Sequence, residues 1–159
     1  MPYAFLTPAG EIKQVFAKPS PFMRLGEGER MVNYNPPAHD PELESVEPVF
    51  PIEGLDVQFT ITPKDAAVYE EVQMRRKSAL VQYHLDTAAQ RRGYDNMLAA
   101  VSYAGSGHPV YDAEGVAFRN WRGECWDAAF AILDAVFAGT RQMPTDAEFI
   151  SELPTCPLA

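Results

Sequence analysis

The sequence predicts an α+β protein: a small β-rich N-terminal region with an extended, proline-rich acidic arm, followed by a C-terminal bundle of three to four helices. Ten of the 14 prolines lie in residues 1–63, and none lies in 64–108 or 110–143. Proline costs about 3 kcal/mol inside a helix, so long helices are confined to the C-terminal part. Two further patterns support this prediction. Apolar and polar residues alternate strictly over 55–62, which is typical of a strand, and a series of helix-capping residues follows position 61. We therefore divide the chain into residues 1–62 and 63–159.

Four short strands are predicted in the N-terminal region. Tyr3–Leu6 and Ile12–Ala17 flank the turn sequence Pro8-Ala9-Gly10, which is typical of a hairpin. Arg30–Tyr34 follows a glycine-rich turn. The fourth strand, Leu55–Thr62, is expected to bury the apolar face formed by Leu55, Val57, Phe59 and Ile61.

An acidic arm over about 35–54 separates the last two of these strands. It contains five prolines and, counted on to residue 56, six carboxylates, without any Lys or Arg. Such a segment is extended and mobile when it is alone in water. Either the arm packs on its own domain or a partner protein holds it, and we favour the partner. The candidate partner contacts in the arm are its prolines, Pro36, Pro37, Pro41, Pro48 and Pro51.

Four helices are predicted from their start and stop signals. The expected capping residues are Thr62, Asp95, Asp112 and Thr145. Pro63 suits the first helical position of the first helix, and Thr145 forms a capping box with Glu148. The helices are expected to stop at or before Gly93, Gly105, Gly139 and Pro154.

The two long helices each carry two apolar stripes, although a surface helix needs only one. The third helix is expected to form the core of the bundle through Trp121, Cys125, Trp126, Phe130, Ile132, Leu133 and Phe137. On the first helix, Tyr69, Val72 and Tyr83 share one side, and the other stripe is interrupted by residues 75–77, Arg-Arg-Lys. The extra stripe indicates either a helix covered on two sides or a face for another subunit. Tyr69, Val72 and Tyr83 are therefore further candidate partner contacts, including contacts with a second copy in a homo-oligomer.

Charge and length exclude several classes of function. The net charge of −9 argues against binding to nucleic acid and to anionic membrane surfaces. The longest nearly apolar stretch, Ala128–Ala138, is too short to span a bilayer and contains Asp134. The N-terminus lacks the pattern of a signal peptide, and two cysteines do not make a disulfide framework. We expect a soluble protein made in a reducing cytoplasm.

No sequence pattern indicates catalysis, a metal or a cofactor. The three histidines are scattered and form no pair at metal-ligand spacing. His84 is expected to be a surface or packed histidine, and Cys125 a buried, inert thiol. Gly105-Ser106-Gly107 lacks the strand–turn–helix context of a nucleophile elbow. We therefore expect a non-enzymatic protein without catalytic residues, metal or cofactor.

Residues 80–154 resemble a group of small proteins of tailed bacteriophages. The resemblance is carried by Arg92-Gly93-Tyr94-Asp95, Val101–Ala104, Phe118-Arg119-Asn120-Trp121-Arg122, Ala138–Arg141, Met143–Thr145 and Glu152-Leu153-Pro154. These proteins are encoded near tail-fibre and baseplate components, and some are described as tail-fibre assembly proteins. The resemblance implies a tail-related role, a location in the virion tail and in the host cytoplasm during assembly, and other phage tail proteins as partners.

The resemblance leaves the role itself open between two readings. The leading hypothesis is a structural or accessory component of the fibre or baseplate apparatus. The alternative is a tail-fibre assembly chaperone that is absent from the mature virion. A third reading, an enzyme that acts on the host envelope, is supported by no motif.

Overall fold

A computed structural model describes residues 1–18 and 23–158, and the chain forms two compact units, Met1–Tyr69 and Glu70–Ala159. In the described residues, five strands in two small sheets precede four helices. The fold class is therefore α+β, as predicted. The units divide inside the first helix, a few residues beyond the boundary that we expected at residue 62.

The first sheet contains three antiparallel strands: β1 (Tyr3–Leu6), β2 (Ile12–Phe16) and β3 (Arg30–Asn33), in the order β2-β1-β3. The predicted hairpin between β1 and β2 is confirmed. Its turn closes where the Thr7 amide donates to the Glu11 carbonyl at 2.8 Å. Gly10 adopts φ of 85° in this turn, a conformation that a residue with a Cβ rarely adopts.

The second sheet pairs the acidic arm with its own chain. β4 (Glu44–Pro48) lies antiparallel to β5 (Phe59–Pro63). Further along the arm, the side chain of Ile52 is buried in the N-terminal core, and the Arg30 side chain donates to the Gly54 carbonyl at 2.9 Å. Of the two alternatives for the arm, packing on its own domain is therefore present, because these contacts lie within the same unit. That the arm also contacts a partner stays a prediction.

The predicted strand over 55–62 is shorter than expected and its apolar face is only partly buried. Val57 is buried and Phe59 half-buried, but Leu55 and Ile61 are exposed. The reason is a change of partner: Asp56 forms an isolated bridge with Asn33 of β3, whereas β5 pairs with β4 from Phe59 onward. A pattern that is continuous in the sequence is therefore divided between two sheets.

Four helices follow: α1 (Ala66–Arg91), α2 (Met97–Ser102), α3 (Pro109–Phe137) and α4 (Asp146–Ser151). Three of the four predicted caps are displaced. Thr62 lies in β5, and Asp65 instead accepts from the Val68 amide at 3.0 Å. At α2 the cap is Asn96, which accepts from the Ala99 amide at 2.9 Å, rather than Asp95.

At the third predicted cap, Asp112 lies in the first turn of α3, because the helix already begins at Pro109. Its carboxylate accepts from the Gly105 amide at 2.6 Å and thus fixes the preceding loop. The capping box of Thr145 and Glu148 at α4 is present as predicted.

The core of the helical unit is built around one stripe of α3. Trp121, Cys125, Ile132 and Leu133 are buried there, whereas Trp126 and Phe137 are half-buried and pack against its edge. Phe130, which we expected in the core, is 43% exposed. It lies one turn after Trp126 on the second stripe, and a helix of a small bundle fully buries only one stripe.

A close approach of α3 to the end of α2 fixes the shape of this unit. A Cβ atom on Gly115 would lie 2.4 Å from the Ala104 backbone nitrogen. Only glycine permits this approach, so the backbone of α3 packs directly on the turn that follows α2.

Candidate protein-binding surfaces

The predicted contact residues of α1 do not form one surface. Tyr83 is 71% exposed, Tyr69 is half-buried, and Val72 is buried. Val72 shares the buried side of α1 with Lys77, which the sequence analysis treated as an interruption of an apolar stripe. Val72 is therefore unavailable as a contact, and Tyr83 is the most accessible of the three side chains.

The prolines of the arm are more accessible. Pro36, Pro37, Pro41 and Pro51 are exposed and Pro48 is half-buried at the end of β4. Pro48 and Pro51 line a depression of about 770 Å³ together with Phe50 and Ile12. Phe50 is more than half exposed, so this depression offers apolar area to a partner.

A surface that the sequence analysis did not find lies at the junction of α2 and α3. We call it the aromatic patch and define it as Tyr103, His108, Val110 and Tyr111. Ring centroids are 5.4 Å apart for Tyr103 and Tyr111 and 4.5 Å apart for His108 and Tyr111. Tyr103, Val110 and Tyr111 are 41%, 58% and 46% exposed. Tyrosine is enriched at protein interfaces because it offers a large apolar ring with a polar tip.

The aromatic patch rests on a hydrogen-bonded support. The Tyr94 ring lies 5.6 Å from that of Tyr103, and its hydroxyl donates to Glu114 at 2.7 Å. Arg92 forms an ion pair with the same carboxylate. Burial and, next, the bond to Glu114 raise the pKa of Tyr94 to about 12. The bonds from Tyr94 and Arg92 lower the pKa of Glu114, so both partners are held in their bonded protonation states at neutral pH.

A smaller aromatic surface lies on α3. The Trp126 and Phe130 rings are 5.7 Å apart, and Phe130 is accessible. Among the described residues, Trp126 Nε1 and Arg122 Nε are buried nitrogens without a hydrogen-bond partner. This surface has one exposed ring, whereas the aromatic patch has three, with Tyr111 in contact with the other two.

The residues considered for chemistry occupy packing positions. His84 is half-buried with its ring 5.7 Å from that of Trp121, and burial followed by the charge of Arg91 lowers its pKa. Trp121 Nε1 donates to the Pro154 carbonyl at 2.8 Å. Cys125 is buried, and burial raises the pKa of its thiol to about 11. Within the described residues, no group of three or more His, Cys, Asp or Glu side chains is placed to hold a metal ion.

The motifs from which a tail-related role was predicted make contacts inside the helical unit. Arg92 and Tyr94 meet at Glu114, Trp121 binds Pro154, and Arg141 forms a bidentate pair with Glu152 at 2.8 and 2.9 Å. These motifs therefore stabilise the fold of the unit. One of them contributes Tyr103 to the aromatic patch, and another contributes Tyr94 to its support.

Comparisons of the chain with protein-family models, with curated proteins and with solved structures found no match. Across the described part of the chain, each helix is too short or too polar to cross a membrane.

Proposed function

We propose that this chain is a non-enzymatic structural or accessory component of a bacteriophage tail, in the fibre or baseplate apparatus, and that it acts through protein–protein contacts during virion assembly. The resemblance of residues 80–154 supports the phage-tail assignment. The observation that carries the proposed mode of action is the aromatic patch, in which Tyr103 and Tyr111 are exposed and in ring contact.

The patch suits docking because it is already ordered before a partner binds. Its rings are fixed by contacts with one another, by Tyr94 from behind and by the Asp112 bond to the loop. Association loses less conformational entropy when the contact side chains are fixed in advance. Buried aromatic residues commonly contribute most of the binding free energy at protein interfaces. The proposed occupant is another tail protein that covers both tyrosine rings.

Mass spectrometry of purified particles of the encoding phage tests the proposal. A structural component is expected at a fixed copy number per virion. Absence from the virion, together with release from a fibre protein that becomes soluble only on co-expression, would favour the alternative of an assembly chaperone.

The mode of action is tested by substitution in the intact chain. Tyr111→Ser is expected to weaken the affinity for the tail partner by about thirtyfold or more, which corresponds to the loss of about 2 kcal/mol or more that defines an interface hot spot. Tyr83→Ser removes an exposed tyrosine from α1 and serves as the matched control, with unchanged affinity expected. The reverse result would move the docking surface from the α2–α3 junction to α1.

A further inference from the structure

Two adjoining depressions on the helical unit carry positive charge. Their volumes are about 320 and about 350 Å³, and both are lined by Ala88, Arg91 and Cys156. None of the described residues that line them is Asp or Glu, although the chain as a whole has a net charge of −9. We call the combined depression, lined by these three residues and by Arg92, Ile150 and Leu158, the basic groove.

Arg91 supplies the available charge in the basic groove. It lies exposed in the last turn of α1, and no carboxylate among the described residues pairs with it. Its neighbour Arg92 already pairs with Glu114. His84, which also lines the groove, is disfavoured as a cation because burial and Arg91 lower its pKa. One guanidinium, that of Arg91, therefore lines the groove without a carboxylate partner in the described part of the chain.

The remaining walls determine what kind of anion fits. Ala88, Ile150 and Leu158 offer apolar area beside Arg91, and Ser151 and Thr155 offer hydroxyl groups along the length of the groove. A guanidinium can bind a carboxylate through two parallel hydrogen bonds. An extended peptide places neighbouring side chains on opposite sides, so a carboxylate and an apolar side chain can both reach such walls.

We propose that the basic groove binds an extended acidic peptide segment of a partner protein, with one carboxylate on Arg91 and an apolar side chain against Ala88 and Leu158. The groove shares no lining residue with the aromatic patch. This inference goes beyond the proposed tail function, and failure of either proposal leaves the other unaffected.

The probe is a fluorescent synthetic peptide with the sequence of residues 40–56 of this chain, which carries six carboxylates and no Lys or Arg. Its fluorescence anisotropy is measured with the full-length protein. We expect saturable binding that weakens as salt is added. A matched peptide with Asn for Asp and Gln for Glu is expected to bind at least about tenfold more weakly.

Two protein variants locate the site. Arg91→Gln is expected to weaken peptide binding by about five- to tenfold. Arg119→Gln removes an exposed arginine of α3 that lines neither depression, so unchanged binding is expected. Circular dichroism of each variant checks that the helices are intact. Bound peptide is also expected to slow alkylation of Cys156, which lines the groove.

The proposal would be overturned by no binding of the acidic peptide, by equal binding of the neutral peptide, by binding that survives Arg91→Gln, or by binding that leaves Cys156 unprotected. Complete displacement of the peptide by millimolar inorganic phosphate would identify a site for small anions and would also overturn it.

Discussion

The Lys77 ammonium lies 2.8 Å from a carboxylate oxygen of Asp146, and the two residues differ sharply in exposure: Lys77 is 4% exposed, whereas the Asp146 side chain is largely in solvent. Lys77 also donates to the Pro144 carbonyl at 3.0 Å and lies 5.0 Å from the centre of the Phe149 ring. A single side chain of α1 thus binds the segment that begins α4. Since Lys77 is almost fully buried, it has little access to replacement partners in water.

Lys77→Met is expected to destabilise the protein by about 2 kcal/mol. The substitution keeps an apolar stem but leaves the buried Pro144 carbonyl without its donor. Asp146→Asn is expected to cost less, about 1 kcal/mol, because the Asn amide oxygen can still accept the hydrogen bond from the buried Lys77 ammonium and only the charge of the partner is lost. Urea unfolding of the two variants measures this difference. Equal losses would mean that the ion pair, rather than the bond to the carbonyl, holds the segment.

Gly115→Ala is expected to destabilise the helical unit by about 1–3 kcal/mol, the range for an overpacked contact. The new methyl group would meet the backbone at Ala104, which cannot rotate away as a side chain can. Gly123 lies in the same helix with open space around it, so Gly123→Ala is the matched control. It is expected to raise stability by about 0.5–1 kcal/mol through helix propensity alone.

Thermal unfolding distinguishes the two glycine variants by the direction of the shift. A lower midpoint for the first and a higher midpoint for the second is the expected pair. If both variants are more stable than the wild type, α3 and the turn after α2 are farther apart than the structure places them.

The structural elements that the sequence predicted correctly are those that depend on residues close together along the chain. The hairpin turn at Gly10, the capping box at Thr145 and the two long helices depend on neighbours along the chain, and each is present. The displaced caps show the limit of such signals. Asp65 and Asn96 lie close to the residues that we favoured, Thr62 and Asp95, and a capping preference does not choose between neighbouring candidates.

The features that escaped the sequence analysis depend on distant pairs. In the sequence Lys77 interrupts an apolar stripe, and only the fold shows that the carbonyl of Pro144, 67 residues later, accepts a hydrogen bond from it. Tyr103 follows the end of α2 and Tyr111 lies in α3, so the period of neither helix predicts their contact. The pairing of β4 with β5 likewise could not be predicted, because it depends on where the arm folds back on the chain. The pairing of β4 with β5 holds the arm in place, and the contact between Tyr103 and Tyr111 forms the aromatic patch.

Tyr94 is expected to make stability depend on pH at the alkaline end. Its pKa in the folded protein, about 12, lies above the ordinary value of 10.0, so the folded state holds the proton more tightly than the unfolded state. The stabilisation is complete below pH 10 and is lost as the pH rises towards 12. Tyr94→Phe removes the hydrogen bond and with it this part of the pH dependence. At neutral pH the substitution is expected to lower the free energy of unfolding by about 1 kcal/mol.

Urea unfolding at pH 8, 10 and 11 measures this effect as the difference between wild type and Tyr94→Phe, which is expected to shrink as the pH rises. Tyr83→Phe is the control, since Tyr83 is exposed and its loss removes no buried contact. At acid pH the contribution of Glu114 to stability depends on pH in the opposite direction. Its pKa is lowered from 4.5, so its contribution is present above that pH and lost as the pH falls further. A constant difference across the alkaline range would mean that the Tyr94 bond to Glu114 does not form.

The two tryptophans are expected to differ in the effect of replacement by phenylalanine. Trp121 is buried and its Nε1 binds Pro154, so Trp121→Phe loses a hydrogen bond and opens a cavity, at about 2–4 kcal/mol. Trp126 is half-buried and its Nε1 has no partner among the described residues. Removal of an unsatisfied donor offsets the lost packing, so Trp126→Phe is expected to cost less than about 1 kcal/mol. Equal costs in urea unfolding would indicate a hidden partner for Trp126.

The two cysteines are expected to react at very different rates with iodoacetamide. Cys125 is fully buried and its thiol pKa is raised to about 11, so at pH 8 only about one molecule in a thousand carries the reactive thiolate there. Cys156 is half-buried and lines the basic groove. Peptide mapping by mass spectrometry should therefore show alkylation of Cys156 in the folded protein and of Cys125 only when urea unfolds it. Comparable modification of both thiols without urea would contradict the buried position of Cys125 and, with it, the packing of α3 against Pro154.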